Sequence, residues 1–185
     1  MAPLLLMGYY NPFLAYGLER FAADASAAAL DGVIVPDLPV EEGGALSQAC
    51  QPRGIDLVYL AAPTSTPQRL AAVTTASAGF VYCVSVLGVT GSRTKLSADL
   101  PQFVRRVRAL TATPLAVGFG ISRPEHVAAV ARIADGAAVG SGLIDLLERT
   151  PPAAQVTAVR AYASELRAAA GLDGEVGSSR TVTNS

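Results

Sequence analysis

Charge is scarce in this chain. Asp, Glu, Lys and Arg make up 16% of its 185 residues and leave a formal net charge of -1. No block of Lys and Arg occurs, which argues against nucleic acid as the main partner. Cysteine and histidine are scarcer still. Cys50 and Cys83 stand far apart and His126 is the single histidine, so neither a disulfide framework nor a His/Cys metal cluster can be assembled. Two reduced thiols of a cytoplasmic protein are the expectation. Long apolar runs are also lacking. The opening MAPLLLMGYYNP is apolar but carries no basic stretch and no cleavage signal, and it is too short to span a bilayer. It reads as a strand, with no membrane partner.

What is present is apolar. The hydrophobic share of 51% suits a chain that buries a core, and the length suits one domain. Short apolar runs cover Pro3 to Tyr9, Gly32 to Val35, Asp56 to Ala61, Gly79 to Ser85, Pro114 to Gly118 and Gly136 to Gly140. They are continuous rather than alternating, as expected of parallel strands buried on both faces. Amphipathic segments lie between them. Leu100, Phe103, Val104, Val107 and Leu110 have helical spacing, with Arg105, Arg106 and Arg108 facing out. Val127, Val130, Ala131 and Ile133 repeat the pattern, with His126 expected on the solvated side. Ser65-Thr66-Pro67, Ser97-Ala98-Asp99 and Ser122-Arg123-Pro124-Glu125 mark helix starts. A last helix is expected over about Pro152 to Ala170, with Val156, Val159, Tyr162 and Leu166 on one stripe. The whole predicts an α/β fold of six consecutive βα units with a parallel sheet. Residues 1–172 form the domain, and residues 173–185 read as a disordered polar tail.

In such folds the chemistry sits at the carboxyl ends of strands. Three of those ends are built of small residues: Leu87 to Ser92, Gly118-Phe119-Gly120-Ile121-Ser122 and Gly140-Ser141-Gly142. Glycine lets backbone N–H groups approach a ligand, and a helix N-terminus adds partial positive charge. Three such ends together can bind a phosphate without Lys or Arg. Taken singly, each can also be only a tight strand-to-helix turn.

The stretches LLLMGYYNP, DGVIVPDLPVEE, LAAPTS, FVYCVSVLGVTGSR, PLAVGFGIS and GAAVGSGLI, in this order, resemble the tryptophan synthase α chain. The resemblance covers roughly residues 3 to 150. It implies a (β/α)8 TIM barrel, of which about six of eight βα units are here. It also implies a carbon-carbon lyase of tryptophan biosynthesis that cleaves indole-3-glycerol phosphate to indole and glyceraldehyde 3-phosphate. The implied partner is the β chain, which carries pyridoxal phosphate and joins the α chain in an α2β2 complex. No cofactor of the α chain itself is implied. Carried over, Gly91, Gly120, Gly140 and Ser141 hold the phosphate. Thr90 lies in a loop that closes over the site. Tyr82 points into the pocket, and Ile34, Leu60 and Phe119 line the indole site. Asn11 and Pro12 belong to a loop facing the β chain. For Tyr82 and Ile34 ordinary core packing is the other reading.

The family's two catalytic carboxylates, a Glu and an Asp, are implied on its first two strands. The sequence is expected to begin at the third, and neither motif occurs in it. Carbon-carbon cleavage needs an acid and a base within hydrogen-bond reach of the reacting atoms. Asp37, just past a strand end, is a weak substitute, and ordering of its loop is the competing role. Glu41 and Glu42 read as the first turn of a helix. A piece of a barrel is expected to be weakly stable or to self-associate through its open edges. A non-catalytic module that binds phosphates or a β chain is the second reading, and another phosphate-binding barrel lyase or isomerase the third.

Overall fold

The computed structural model describes residues 2–85 and 96–171. Among the described residues seven short strands, with helices between all but the third and fourth, form parallel pairs. The order is β1 (Leu5–Met7), α1 (Tyr10–Tyr16), α2 (Leu18–Ala27), β2 (Gly32–Ile34), α3 (Gly44–Cys50), β3 (Asp56–Val58), β4 (Leu60–Ala61) and α4 (Pro67–Ala76). Then come β5 (Val81–Val84), α5 (Leu100–Arg108), β6 (Leu115–Gly118), α6 (Pro124–Ala131), β7 (Gly136–Ala137), α7 (Ser141–Arg149) and α8 (Gln155–Ala169). Proline at the first turn of α4, α5 and α6 costs no hydrogen bond there. At α4 the Thr66 hydroxyl also accepts from Arg69 N–H at 3.2 Å. The strands form two sheets, β1-β2-β3 and β4-β5-β6-β7, and within each a strand pairs with its neighbour in sequence.

The run expected as a single strand over Asp56 to Ala61 is divided at Tyr59. The Tyr59 N–H donates to the Ser77 hydroxyl at 3.2 Å instead of to a strand. Its carbonyl still accepts from Tyr82 N–H at 3.1 Å. The run therefore serves β2 with its first half and β5 with its second, and six βα units remain.

Side chains alternate between two cores. Val33, Leu57, Tyr59, Ala61, Val81, Cys83, Leu115 and Val117 face the helices, in one cluster with Leu46, Leu70, Phe103, Val104 and Val130. Ile34, Val58 and Tyr82 face the other way, with Leu5, Leu60, Phe80, Val84 and Ala138 around them. Ala138, beyond β7, joins a cluster that includes Leu5 of β1, at the opposite end of the strand order. Met7 of β1 also lines one cavity with Ala138, so the strand layer curls back on itself, as a barrel wall does.

Several expectations change. The first run is not buried on both faces: Leu6 and Met7 are 45% and 47% exposed, because nothing pairs with the far edge of β1 among the described residues. His126 is buried at 4% rather than solvated, and its Nδ1 accepts from Ser122 N–H at 3.4 Å. Leu110 is exposed because α5 ends at Arg108. Arg108 turns inward to Asp135 and to the Thr113 carbonyl at 3.1 Å. Glu41 and Glu42 lie in the turn before α3, not in its first turn. On α8 Tyr162 and Leu166 are half-buried, whereas Val156 is exposed. The tail expected over residues 173–185 lies outside the described residues. Among the described residues no helix is long and apolar enough to cross a membrane.

Candidate functional site

A cavity of about 420 Å3 opens where the carboxyl ends of β1, β2, β6 and β7 converge. Met7 and Ile34 form one wall, and Tyr82 and Phe119 form another. Ala138, Val139, Gly140, Ser141 and Gly120 complete the rim. Of the residues singled out in the sequence, Ile34, Tyr82, Phe119, Gly120, Gly140 and Ser141 are brought together here. Leu60 does not line the cavity; it is half-buried and packs against the cluster of Ile34, Val58 and Tyr82. Thr90 and Gly91 lie outside the described residues.

The wall at Phe119 is held in a costly conformation. Phe119 has φ 68°, a left-handed value that a bulky residue rarely adopts, and Gly120 follows with φ 80°. Three contacts fix it. The Ser85 hydroxyl donates to the Phe119 carbonyl. Ser85 N–H donates to the Gly118 carbonyl at 2.8 Å. The Phe119 ring meets Tyr82 edge to face, centroids 5.5 Å apart at 72°. Gly118 is required for a further reason: a Cβ there would overlap the Tyr82 hydroxyl and ring. Burial pushes the Tyr82 phenol above its ordinary value, and a backbone hydrogen bond at Phe119 works against the rise.

On the opposite rim α7 starts at Ser141, and Leu143 N–H and Ile144 N–H close its first turn onto the Gly140 carbonyl at 2.9 and 3.2 Å. The N–H groups that precede this turn have no partner within a helix. The cavity thus offers an apolar slot beside small residues at a helix N-terminus, an arrangement suited to a flat apolar ring bearing an anion. No Asp, Glu, His, Lys or Arg lines it among the described residues.

Asp37 is not in the cavity. Its Oδ1 accepts from Tyr10 N–H at 2.9 Å and so ties the start of α1 to the exit of β2. Asn11 and Pro12, expected in a loop, lie in the first turn of α1, exposed. Pro12 lines a separate apolar hollow of about 410 Å3 with Leu6, Met7, Phe13, Tyr16 and Phe21. A larger hollow of about 550 Å3 lies between α6, β7 and α8, lined largely by alanine and other aliphatic residues. It lacks the converging strand ends. Sequence reading missed Met7, Ala138 and Val139. Ala138 and Val139 sit inside the GAAVGSGLI stretch, so position just past a strand end could have found them.

The model of the tryptophan synthase alpha chain family matches residues 1–171. The chain belongs to that family. The tryptophan synthase alpha chain of Chloroflexus aurantiacus is 54% identical over 168 residues, 91% of this chain and 63% of that one. That of Geobacter sulfurreducens is 47% identical over 169 residues, again 91% of this chain and 64% of the relative. The chain spans somewhat under two thirds of the length of these curated relatives. Among solved structures, tryptophan synthase from Pyrococcus furiosus, described as an a2b2 complex, matches with a TM-score of 0.81 at 35% identity, covering 90% of this chain and 67% of that one. Tryptophan synthase from Mycobacterium tuberculosis matches with a TM-score of 0.81 at 37% identity over 92% of this chain and 63% of that one. The fold is that of a partial (β/α)8 barrel.

Proposed function

We propose that this chain carries the substrate-binding part of a tryptophan synthase α subunit, the lyase that releases indole from indole-3-glycerol phosphate. Family membership supports this reading, and one observation carries it to the site: Ile34, Tyr82 and Phe119 face small Gly120, Gly140 and Ser141 across one cavity. The indole ring lies against the apolar walls, with Leu60 behind them. The phosphate lies at the rim, held mainly by backbone N–H groups at the start of α7. The β chain of an α2β2 assembly is the proposed partner, met by the face that carries Asn11 and Pro12. Pyridoxal phosphate belongs to that partner. The compartment is the cytoplasm.

The absence of a carboxylate from the described cavity wall favours a second reading for this chain taken alone, a binding module without turnover. Asp37 does not rescue catalysis, because it is committed to the Tyr10 N–H. Calorimetric titration of the chain with indole-3-propanol phosphate and with inorganic phosphate tests the binding claim. Tighter binding of the indole compound is expected. Equal affinity for the two would remove the indole site and leave a general phosphate-binding barrel. Indole release from indole-3-glycerol phosphate, measured with and without a β chain, separates the two readings; none is expected from the chain alone.

A further inference from the structure

We infer that Tyr162 is a positioning residue for the anion-binding rim, reaching from α8 to lock the Gly120–Ser122 turn against the first turn of α7. The inference rests on the phosphate reading of that rim. The Tyr162 hydroxyl donates to the Ser122 carbonyl at 2.8 Å, a bond spanning 40 residues of sequence. The same hydroxyl stands over Gly142, the residue after Ser141. A Cβ at Gly142 would lie 2.5 Å from the Tyr162 oxygen, 2.8 Å from Ser122 Cβ and 3.1 Å from Ser122 Cα. Three elements therefore meet at one point, and only glycine lets them close that far.

Ser122 is fixed from both sides. Its N–H donates to His126 Nδ1 at 3.4 Å, and its carbonyl accepts from Tyr162. The two rim segments thus share one anchor, two residues beyond Gly120 and one beyond Ser141. Anion binding by backbone N–H groups depends on their mutual placement, because a site formed in advance spares the entropy of ordering it. Burial raises the Tyr162 phenol above its ordinary value, and the nearby Asp145 carboxylate adds to the rise. The hydroxyl accordingly stays a donor at neutral pH.

Tyr162→Phe keeps the ring and removes the donor. Its affinity for inorganic phosphate should fall about fivefold, the worth of one hydrogen bond, while its affinity for indole and its melting temperature stay close to wild type. Unchanged phosphate affinity in Y162F overturns the positioning role. An equal loss for phosphate and indole overturns it too, since that reports general loosening. If the wild-type chain binds no phosphate, the phosphate reading falls and takes this inference with it. Should Y162F fail to fold, Gly142→Ala addresses the same junction with the tyrosine intact. It should weaken phosphate binding while sparing indole, and unchanged phosphate binding in G142A would count against the shared anchor.

Discussion

The two faces of the strand layer differ sharply. The face towards the helices is closed: Val33, Val81, Cys83, Leu115 and Val117 are 0% exposed. The inner face is smaller and looser. Ile34 and Tyr82 keep 8% and 7% of their surface, and Leu5, Leu60 and Phe80 are only partly buried. Phe119 at its mouth is 43% exposed. Neighbouring residues on one strand thus live in different environments, Val33 beside Ile34 and Cys83 beside Tyr82. The outer layer holds the fold, and the inner layer holds the space a ligand can use.

The largest expected effect tests the outer layer. Leu115→Ala should cost about 2–5 kcal/mol in chemical denaturation, since a packed site cannot collapse onto the void. Ile34→Ala should cost less than half as much, because one side of Ile34 already faces a cavity. A larger loss at Ile34 would reverse the ranking of the two faces.

Next comes the contact between strands inside the barrel wall. Gly118→Ala drives a methyl group into the Tyr82 hydroxyl and ring. Overpacking of this kind costs about 1–3 kcal/mol. Binding of indole-3-propanol phosphate should fall by more than tenfold, an order-of-magnitude expectation for displacing a pocket wall. Adding Tyr82→Ala should restore part of the lost stability, whereas Tyr82→Phe should not, because the ring itself is in the way. A double variant no more stable than G118A would show that the clash lies elsewhere.

The edge of β1 comes third. Leu6 is 45% exposed and lies beside an apolar hollow. Light scattering after size-exclusion chromatography should show the isolated chain self-associating. Leu6→Lys, a charge on an open edge, should shift it towards monomer, with a stability change within about 0.5 kcal/mol. A wild-type chain that is monomeric at all concentrations would remove the edge from consideration.

The smallest effect concerns the amino end of the sheet. Asp135 accepts from Leu115 N–H at 2.7 Å and pairs with Arg108. Burial works to raise its carboxyl, but the Leu115 bond and Arg108 outweigh it, and the group titrates below the usual range. A depressed folded value adds stability that is complete above the unfolded value near ~3.9 and is lost as pH falls through the folded one. Asp135→Asn should therefore flatten the acid limb of stability against pH. The change should stay under about 1 kcal/mol, since the side chain is half exposed and water screens the pair.

The alternation of strand and helix was legible because each βα unit carries its own apolar run, and α4, α5 and α6 carry a proline in the first turn. That Gly120, Gly140 and Ser141 share one cavity was legible because each stands just past a strand end in the sequence. Other features depend on partners far along the chain. Nothing near Tyr59 announces a break, since the interruption needs Ser77, 18 residues on. The wall at Met7 and Ala138 exists only when the two ends of the strand order come round to one cavity. His126 was misread because a lone histidine in a polar opening looks solvated. It lies four residues before buried Val130, and that spacing was the available signal.

The pairing of strands in chain order within each sheet bears on how the molecule assembles. Within each sheet a strand pairs with the one before it in the chain, so each described pairing spans a single βα unit. Such local pairing permits growth in chain order as the polypeptide emerges from synthesis. Of the described strands, β1 then keeps one open side, and the rim glycines after β6 and β7 take their places last. A ligand that bridges that rim would bind only a nearly finished wall, and so would report the end of assembly rather than its beginning.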